Sequence, residues 1–326
     1  MNVMQSNKKR IESVNDFVIK FANVNGTGSA SANNMFAKSL FRMGLPVCPK
    51  NIFPSNIQGL PTWYEVRVSE KGYLGRRGGT DIVLSVNPQS MPQDIQDVEP
   101  GGYFIYDNTK PLDLRLIRND VNIIGIPLTR ICNEQYQDHR QRQLFKNVIY
   151  VGALAALLDM DFKVLTSLVE DQFKGKEKLV LPNIHALEMG HQWASTNLEC
   201  PIGIRVESRD SVGDKILLDG NTALGLGAVY GGATVAAWYP ITPSTSVVDA
   251  YEKYARRVRI DPGTGRRNYA IVQAEDELSA IGMVIGAGWN GARSFTATSG
   301  PGVSLMSEFL GLAYFAEIPT VLFNVQ

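Results

Sequence analysis

At 326 residues the chain is long enough for about two domains, and 44% hydrophobic with 20% charged residues is the make-up of a folded protein with sizeable cores. Its 32 basic and 32 acidic residues cancel to a formal charge of zero, so no basic field is available to meet nucleic acid or an anionic membrane surface. No run approaches the roughly 18 apolar residues of a membrane span, and the polar start, Met1 to Asn15, lacks the apolar segment of a secretory signal, so a cytoplasmic location is expected. Residues 17–22 read as a strand, 25–29 as a tight turn and 30–43 as a helix. Strand-like runs recur at 63–68, 81–86, 102–106 and 121–126, rich in β-branched and aromatic residues and bounded by Gly, Pro, Asn or Asp. From 133 to 194 the period is helical, broken near Met160 and Gly175. Residues 16–197 are therefore expected to form a mixed sheet with a helical C-terminal flank.

Residues 198–215 have no clear period, include Pro201 and carry mixed charge from Arg205 to Lys215, which reads as an interdomain connection. The second domain, 216–326, opens on a helix with Asn221 as its expected N-cap and with Gly225, Gly227, Gly231 and Gly232 inside or just after it. Glycine at that density weakens a helix, so close packing is the expected compensation. Strands at 233–238, 269–274, 294–298 and 319–325 then alternate with helices at 246–257, 276–289 and 303–315. Such βαβ alternation implies a parallel, doubly wound sheet with right-handed crossovers. The last strand runs to Gln326, an odd place for a central-looking strand to stop, so a domain incomplete at its C-terminus is expected.

Three loops leave successive strands of this second domain: Tyr239-Pro240-Ile241-Thr242-Pro243-Ser244, Glu275-Asp276-Glu277 and Ser299-Gly300-Pro301-Gly302. Each alone is ordinary turn chemistry. In a parallel sheet their strand ends share one edge, where open α/β folds put their ligands. The loops bring rigid backbone from proline, close approach from glycine, hydroxyls from Thr242, Ser244, Thr298 and Ser299, and carboxylates. Glu275 and Asp276 are explained by the preference of a helix N-terminus for acids. Glu277 is the sharper candidate, because Ser279, Ala280, Gly282, Gly286 and Ala287 behind it make a helix of small residues, which a second helix or a flat ligand can approach closely. A carboxylate at the rim of such an interface is desolvated and suited to proton chemistry.

Other features carry less. Gly26-Thr27-Gly28-Ser29-Ala30-Ser31 is not G-x-G-x-x-G and no acid stands about 20 residues on, which argues against a nicotinamide site. Arg76-Arg77-Gly78-Gly79 reads as a solvated hairpin turn or a phosphate contact. His139, His185 and His191 lack metal-ligand spacing. Cys48, Cys132 and Cys200 stand far apart with no C-x-x-C pair, fit a reducing compartment, and fall short of the roughly four thiolates of an iron–sulfur cluster.

The set Y-P-I-T-P-S at 239–244, A-E-D-E-L-S-A-I-G at 274–282 and T-A-T-S-G-P-G-V-S-L-M-S-E at 296–308 resembles the pyrimidine-type domain of 2-oxoacid:ferredoxin oxidoreductases, and the first domain is similar to that family's γ-type domain. The resemblance implies an α subunit with a fused γ-type domain, acting in thiamine-diphosphate-dependent, CoA-dependent oxidative decarboxylation of a 2-oxoacid to an acyl-CoA. Electrons would pass to ferredoxin, and the fusion favours 2-oxoglutarate as substrate. It implies that Glu277 bonds N1′ of the aminopyrimidine and favours the imino tautomer, whose N4′ takes the C2 proton. It places Thr242 on the substrate carboxylate, and Tyr239, Pro240, Ile241, Ser299 and Gly300 against the cofactor. An arginine expected just after the last strand falls beyond Gln326. The glycine turn is poorer in glycine than the family's, which leaves a coenzyme A phosphate contact there in doubt. No metal is expected on this chain: Mg²⁺ and a [4Fe-4S] cluster are implied on a partner β subunit that shares the thiamine diphosphate in an α2β2 heterotetramer. Two other readings stay open on the residues alone, a thiamine-dependent decarboxylase or transketolase-like half, and a non-catalytic scaffold subunit.

Overall fold

The computed structural model describes residues 9–52, 59–75 and 77–325. Arg76 and Gln326, both invoked above, and the first eight residues of the polar start lie outside the described residues. The chain divides into two compact units, residues 1–216 and 217–326.

The first unit begins with β1 (Ser13–Val14), β2 (Asp16–Val24), α1 (Ser29–Arg42), β3 (Val47–Ile52), β4 (Pro61–Ser69), β5 (Thr80–Ser85), the short α2 (Met91–Gln96), β6 (Val98–Asp107) and β7 (Asn122–Ile126). Four helices follow: α3 (Leu128–Gln135), α4 (His139–Leu157), α5 (Phe162–Gln172) and α6 (Glu177–Asn197). The main sheet has the order β3-β4-β2-β5-β6-β7. Its pairs β3–β4 and β4–β2 are antiparallel, and β2–β5, β5–β6 and β6–β7 are parallel, which is the mixed sheet expected. Central β2 buries both faces, and its Phe21 meets Phe36 of α1 at 5.3 Å and Tyr150 of α4 at 5.9 Å between ring centroids. Each such buried ring contributes roughly 1.5–3 kcal/mol. Close contact of α4 with α6 is permitted by two glycines. A Cβ on Gly152 would stand 2.0 Å from the Leu187 carbonyl oxygen, and one on Gly190 would stand 1.9 Å from that of Ile149.

Sequence patterning does not reveal β3. Pro49 breaks the strand signal, and a proline is tolerated there because β3 is an edge strand. The stretch read as an interdomain connection is held on the first unit through much of its length. Its β8 (Ile204–Arg205) pairs with β1. Backbone N–H groups of Ile202 and Val206 donate to Leu157 and Leu158, and those of Arg209 and Ser211 to Met43 and Gly44.

The second unit contains α7 (Gly220–Tyr230), β9 (Val235–Trp238), α8 (Thr245–Val258), β10 (Ala270–Gln273), α9 (Glu277–Trp289), β11 (Ser294–Thr298), α10 (Gly300–Leu305), α11 (Ser307–Phe315) and β12 (Val321–Asn324). Its four strands are all parallel in the order β10-β9-β11-β12. Val247, Val248 and Tyr251 of α8 and Val229 of α7 pack with Ala236, Phe295 and Ala297 in one core, while Ala280, Ile281 and Ile285 of α9 pack with Met306, Ala313 and Leu322 in another. The sheet is thus covered on both faces, as a doubly wound sheet requires. The cap of α7 is Asp219, whose carboxylate accepts from the Thr222 N–H at 2.9 Å, rather than Asn221. Close packing explains one glycine of α7: a Cβ on Gly225 would stand 2.6 Å from the Val247 carbonyl oxygen of α8, whereas Gly227 faces open space.

Candidate functional site

The order β10-β9-β11-β12 fixes where the three loops meet. From β9 the chain crosses to β10 on one side and then returns to β11 on the other, so the strand order reverses between β9 and β11. At such a reversal the connections diverge and leave a crevice outside the carboxyl ends of the strands. Residues 239–244 follow β9 and residues 299–302 follow β11, on the two sides of that crevice, and residues 274–276 follow neighbouring β10.

The 239–244 loop is held from two directions. Ser244 is buried, and its hydroxyl donates to Ile241 O at 3.0 Å and lies 3.4 Å from Ala297 O of β11. Asn221 of α7 donates to Pro243 O at 3.1 Å and to the Ser246 hydroxyl at 2.8 Å. Ser244, grouped above with the ligand-facing hydroxyls, is engaged in fixing the loop. Thr242 is exposed, as is Pro240, while Tyr239 and Ile241 are half-buried.

At the start of α9 the acids separate by role. Asp276 is the N-cap, its carboxylate accepting from the Ser279 N–H at 2.6 Å, and that bond holds its acid below the ordinary aspartate range. Glu275 is exposed. Glu277 turns inward and is 8% exposed. Beside it, Ser299 caps α10 and is buried, Gly300 is half-buried, and Gly302 has no room for a side chain. A Cβ on Gly302 would stand 2.0 Å from Thr298 Oγ1 and 2.8 Å from Glu277 Cγ. The end of β11, the turn after it and the first residue of α9 therefore enclose one small space around Glu277.

Sequence reasoning undervalued Thr298. Its hydroxyl is fully buried and has no hydrogen-bond partner, and the same holds for Thr296 two residues earlier. A buried hydroxyl left unpaired costs about 1–3 kcal/mol. The small residues of α9 also divide. Ala280 belongs to the unit's own core and Gly282 faces Phe309, whereas Gly286 and Met283 face outward. A cavity of this unit, about 770 Å³, is lined in part by Leu224, Gly227, Phe295, Val321 and Phe323. It opens at the amino ends of β9, β11 and β12, away from the three loops, and offers little proton chemistry.

In the first unit a second cavity, about 680 Å³, lies at the carboxyl ends of β2, β5 and β6 and is lined in part by Thr27, Tyr106, Asp107, Lys110, Thr129 and Lys146. Apart from Thr27 of the glycine turn, the sequence did not mark these residues, because they come from separate segments. The glycine turn borders the cavity. Gly28 is left-handed at φ 78° and caps α1 without a side-chain bond, and Asn147 holds the Thr27 carbonyl at 2.9 Å. Arg77 pairs with Asp81, which also accepts from the Val18 N–H at 2.7 Å, so this arginine is engaged structurally. His139 and His185 are exposed, and His191 packs on Phe162 at 4.8 Å. Among the described residues no group of three or more His, Cys, Asp or Glu is placed to hold a metal ion, and no helix is long and apolar enough to cross a membrane.

A four-stranded parallel sheet whose reversal point gathers rigid loops and an inward-facing glutamate defines a cofactor-binding α/β module, joined here to a mixed-sheet α/β unit. The chain belongs to the pyruvate ferredoxin/flavodoxin oxidoreductase family. That family's model matches residues 18–193, and the model of its thiamine-diphosphate-binding domain matches residues 226–326. The chain is 30% identical to the α subunit of 2-oxoacid:ferredoxin oxidoreductase 2 of Aeropyrum pernix over 91% of its own length and 53% of that protein. It is 25% identical to the 2-oxoglutarate oxidoreductase subunit KorA of Mycobacterium tuberculosis, over 98% of this chain and 51% of the relative. Among solved structures, the 2-oxoglutarate:ferredoxin oxidoreductase of Magnetococcus marinus, with 2-oxoglutarate, coenzyme A and succinyl-CoA bound, superposes with a TM-score of 0.80 at 30% identity, covering 96% of this chain and 52% of that one. The chain spans about half the length of the curated relatives it matches.

Proposed function

We propose that this chain is part of a 2-oxoacid:ferredoxin oxidoreductase that converts a 2-oxoacid and coenzyme A into an acyl-CoA and CO2, with the released electrons passed to ferredoxin. The observation that carries the reading is Glu277, buried at the start of α9 and enclosed by Thr298 and Gly302. The donor set suits the aminopyrimidine side of thiamine diphosphate: an inward carboxylate, an unpaired buried hydroxyl and a glycine with no space for a Cβ. Bound there, the cofactor supplies the carbon that attacks the 2-oxo group and holds the electron pair left by CO2. In this reading Glu277 holds a proton at the ring nitrogen N1′. Tyr239, Pro240 and Ile241, with Ser299 and Gly300, wall the ring, and Thr242 donates its hydroxyl to the substrate carboxylate.

The substrate we favour is 2-oxoglutarate, the molecule bound in the Magnetococcus marinus enzyme. In this reading the diphosphate, Mg²⁺ and a [4Fe-4S] cluster belong to a partner β subunit in an α2β2 assembly. Met283, Trp289, Tyr314 and Phe315 are exposed and give such a partner an apolar surface to cover. Lys110 and Lys146 in the first unit's cavity offer cations for the phosphates of coenzyme A.

The reading is tested by purifying the chain alone and with its co-expressed partner. The assembled pair is expected to reduce ferredoxin or a viologen dye only when both 2-oxoacid and coenzyme A are present, and to show broad visible iron–sulfur absorption. The chain alone is expected to do neither. An assembled pair without cluster absorption, or turnover by the chain alone, would overturn it.

A further inference from the structure

Strand alternation places Ser294, Thr296 and Thr298 on one face of β11, with Phe295 and Ala297 on the opposite face in the core with α8. The first of the three hydroxyls identifies the helix it faces: Ser294 donates to Val284 O of α9 at 2.8 Å. Along that face the row of hydroxyls runs beneath α9 toward its N-terminus. Thr298, at the end of the row, is the one beside Glu277. Its Oγ1 and Glu277 Cγ lie 2.0 and 2.8 Å from a single point, the position a Cβ on Gly302 would take. Gly302 does not have a left-handed φ, so glycine is required there by space and not by backbone conformation. The fold thus keeps a gap between a fully buried, unpartnered hydroxyl and the stem of the one inward-facing acid of the site.

We infer that Thr298 is a positioning residue for Glu277: in the loaded site its hydroxyl donates to one carboxylate oxygen of Glu277 and leaves the other to meet the cofactor's ring nitrogen. The inference rests on the proposed function for the identity of the ring. A glutamate carboxylate, set by three side-chain torsions, can face the ring in several ways, and a donor fixed on a strand selects one of them. The three heavy atoms nearest the position of a Cβ on Gly302 are Thr298 Oγ1, Glu277 Cγ and Thr298 Cβ.

Thr298→Val keeps shape and strand preference and removes only the hydroxyl. In the assembled enzyme it is expected to leave the melting temperature without added cofactor unchanged or higher, because an unpaired buried hydroxyl becomes a methyl. The rise in melting temperature on adding thiamine diphosphate and Mg²⁺ is expected to shrink, and proton exchange at C2 of bound thiamine diphosphate to slow about tenfold. kcat is expected to fall in parallel while KM for the 2-oxoacid stays within about twofold. Thr298→Ser, which keeps the hydroxyl, is expected to restore exchange and the cofactor-induced shift. Thr298→Ala serves the same test if the valine variant does not accumulate.

Wild-type exchange in the valine or alanine variant overturns the inference, and so does failure of serine to restore it, since packing and not the hydroxyl would then matter. Glu277→Gln separates the two levels. If it abolishes exchange while Thr298→Val has none of these effects, the positioning role fails and the proposed function stands. If Glu277→Gln exchanges normally, the proposed function fails and the positioning role with it.

Discussion

The carboxyl edges of the two sheets are built on opposite principles. At the first unit's edge a set of buried polar groups is paired: Tyr150 donates to the Asn33 side-chain oxygen at 2.6 Å, Asn33 to the Asn23 side-chain oxygen at 2.9 Å, and Asn87 to the Asn23 main-chain carbonyl at 3.2 Å. Asp107 accepts from the Thr129 N–H and hydroxyl and from Thr109, which fastens the loop after β6. In the second unit the buried Thr296 and Thr298 hydroxyls have no partner, and Glu277 faces the same enclosure. A satisfied network stores shape, while an unsatisfied one retains binding capacity at a cost in stability. Around Asn23 the first edge is closed by its own hydrogen bonds, while the second leaves two buried hydroxyls open on the strand beside Glu277.

If that contrast is right, variants on the two edges should fail differently, in chemistry on one and in stability on the other. The largest effect is expected at Glu277. Glu277→Gln keeps size and removes the acid, so turnover of the assembled enzyme should fall by about 10²-fold or more while assembly persists. Were Glu277 only a helix-start acid, the variant would lose roughly 0.3–1 kcal/mol of stability with near-normal activity. Exchange of the C2 proton measured beside the melting temperature distinguishes the two. Thr242→Val comes next. Removing a donor to a carboxylate is worth roughly 1.5–3 kcal/mol, or about 10- to 150-fold in kcat/KM for the 2-oxoacid, with cofactor affinity unchanged. Unaltered substrate kinetics would leave the 239–244 loop as turn chemistry.

On the first edge the expectation reverses. Tyr150→Phe leaves the Asn33 side-chain oxygen without its donor in a fully buried place, which should cost about 1–3 kcal/mol in unfolding experiments. The C2 exchange rate of the assembled enzyme should not change. A slowed exchange with unaltered stability would erase the distinction between a closed edge and an open one.

The contrast also marks what could be read without coordinates. Period-2 and helical patterning located five of the six strands of the first sheet, the four strands of the second and the breaks near Met160 and Gly175, because burial on a fixed face leaves a regular trace in sequence. Edge strand β3 left none, since Pro49 and three exposed residues blur its alternation. The loops of the candidate site were legible because three turns, each ordinary alone, follow successive strands of one parallel sheet and so share an edge. Thr298 was legible only as one of four hydroxyls near the loops, because a β-branched residue closing a strand is ordinary; its missing partner and the space kept by Gly302 single it out. Apart from Thr27, residues around the first unit's cavity were illegible for another reason, coming from segments that meet only after folding.

The smallest expected effect sharpens the division within the second edge itself, between Asp276 and its neighbour Glu277. Asp276 is a cap with a formed bond to the Ser279 N–H, and that bond lowers its acid below the unfolded value. A group whose folded pKa is depressed contributes its full stabilisation above the unfolded pKa and loses it as pH falls through the folded one. Stability measured from neutral pH downward should therefore drop slightly more steeply in the wild type than in Asp276→Asn, the difference confined to the ordinary aspartate range and below. Because Asp276 is exposed, solvent screening keeps the step small. At neutral pH Asp276→Asn should retain C2 exchange and substrate kinetics, since asparagine also caps helices well. Loss of exchange in this variant would mean that the two adjacent acids act together, and that the boundary between holding α9 in place and acting on the cofactor does not fall between residues 276 and 277.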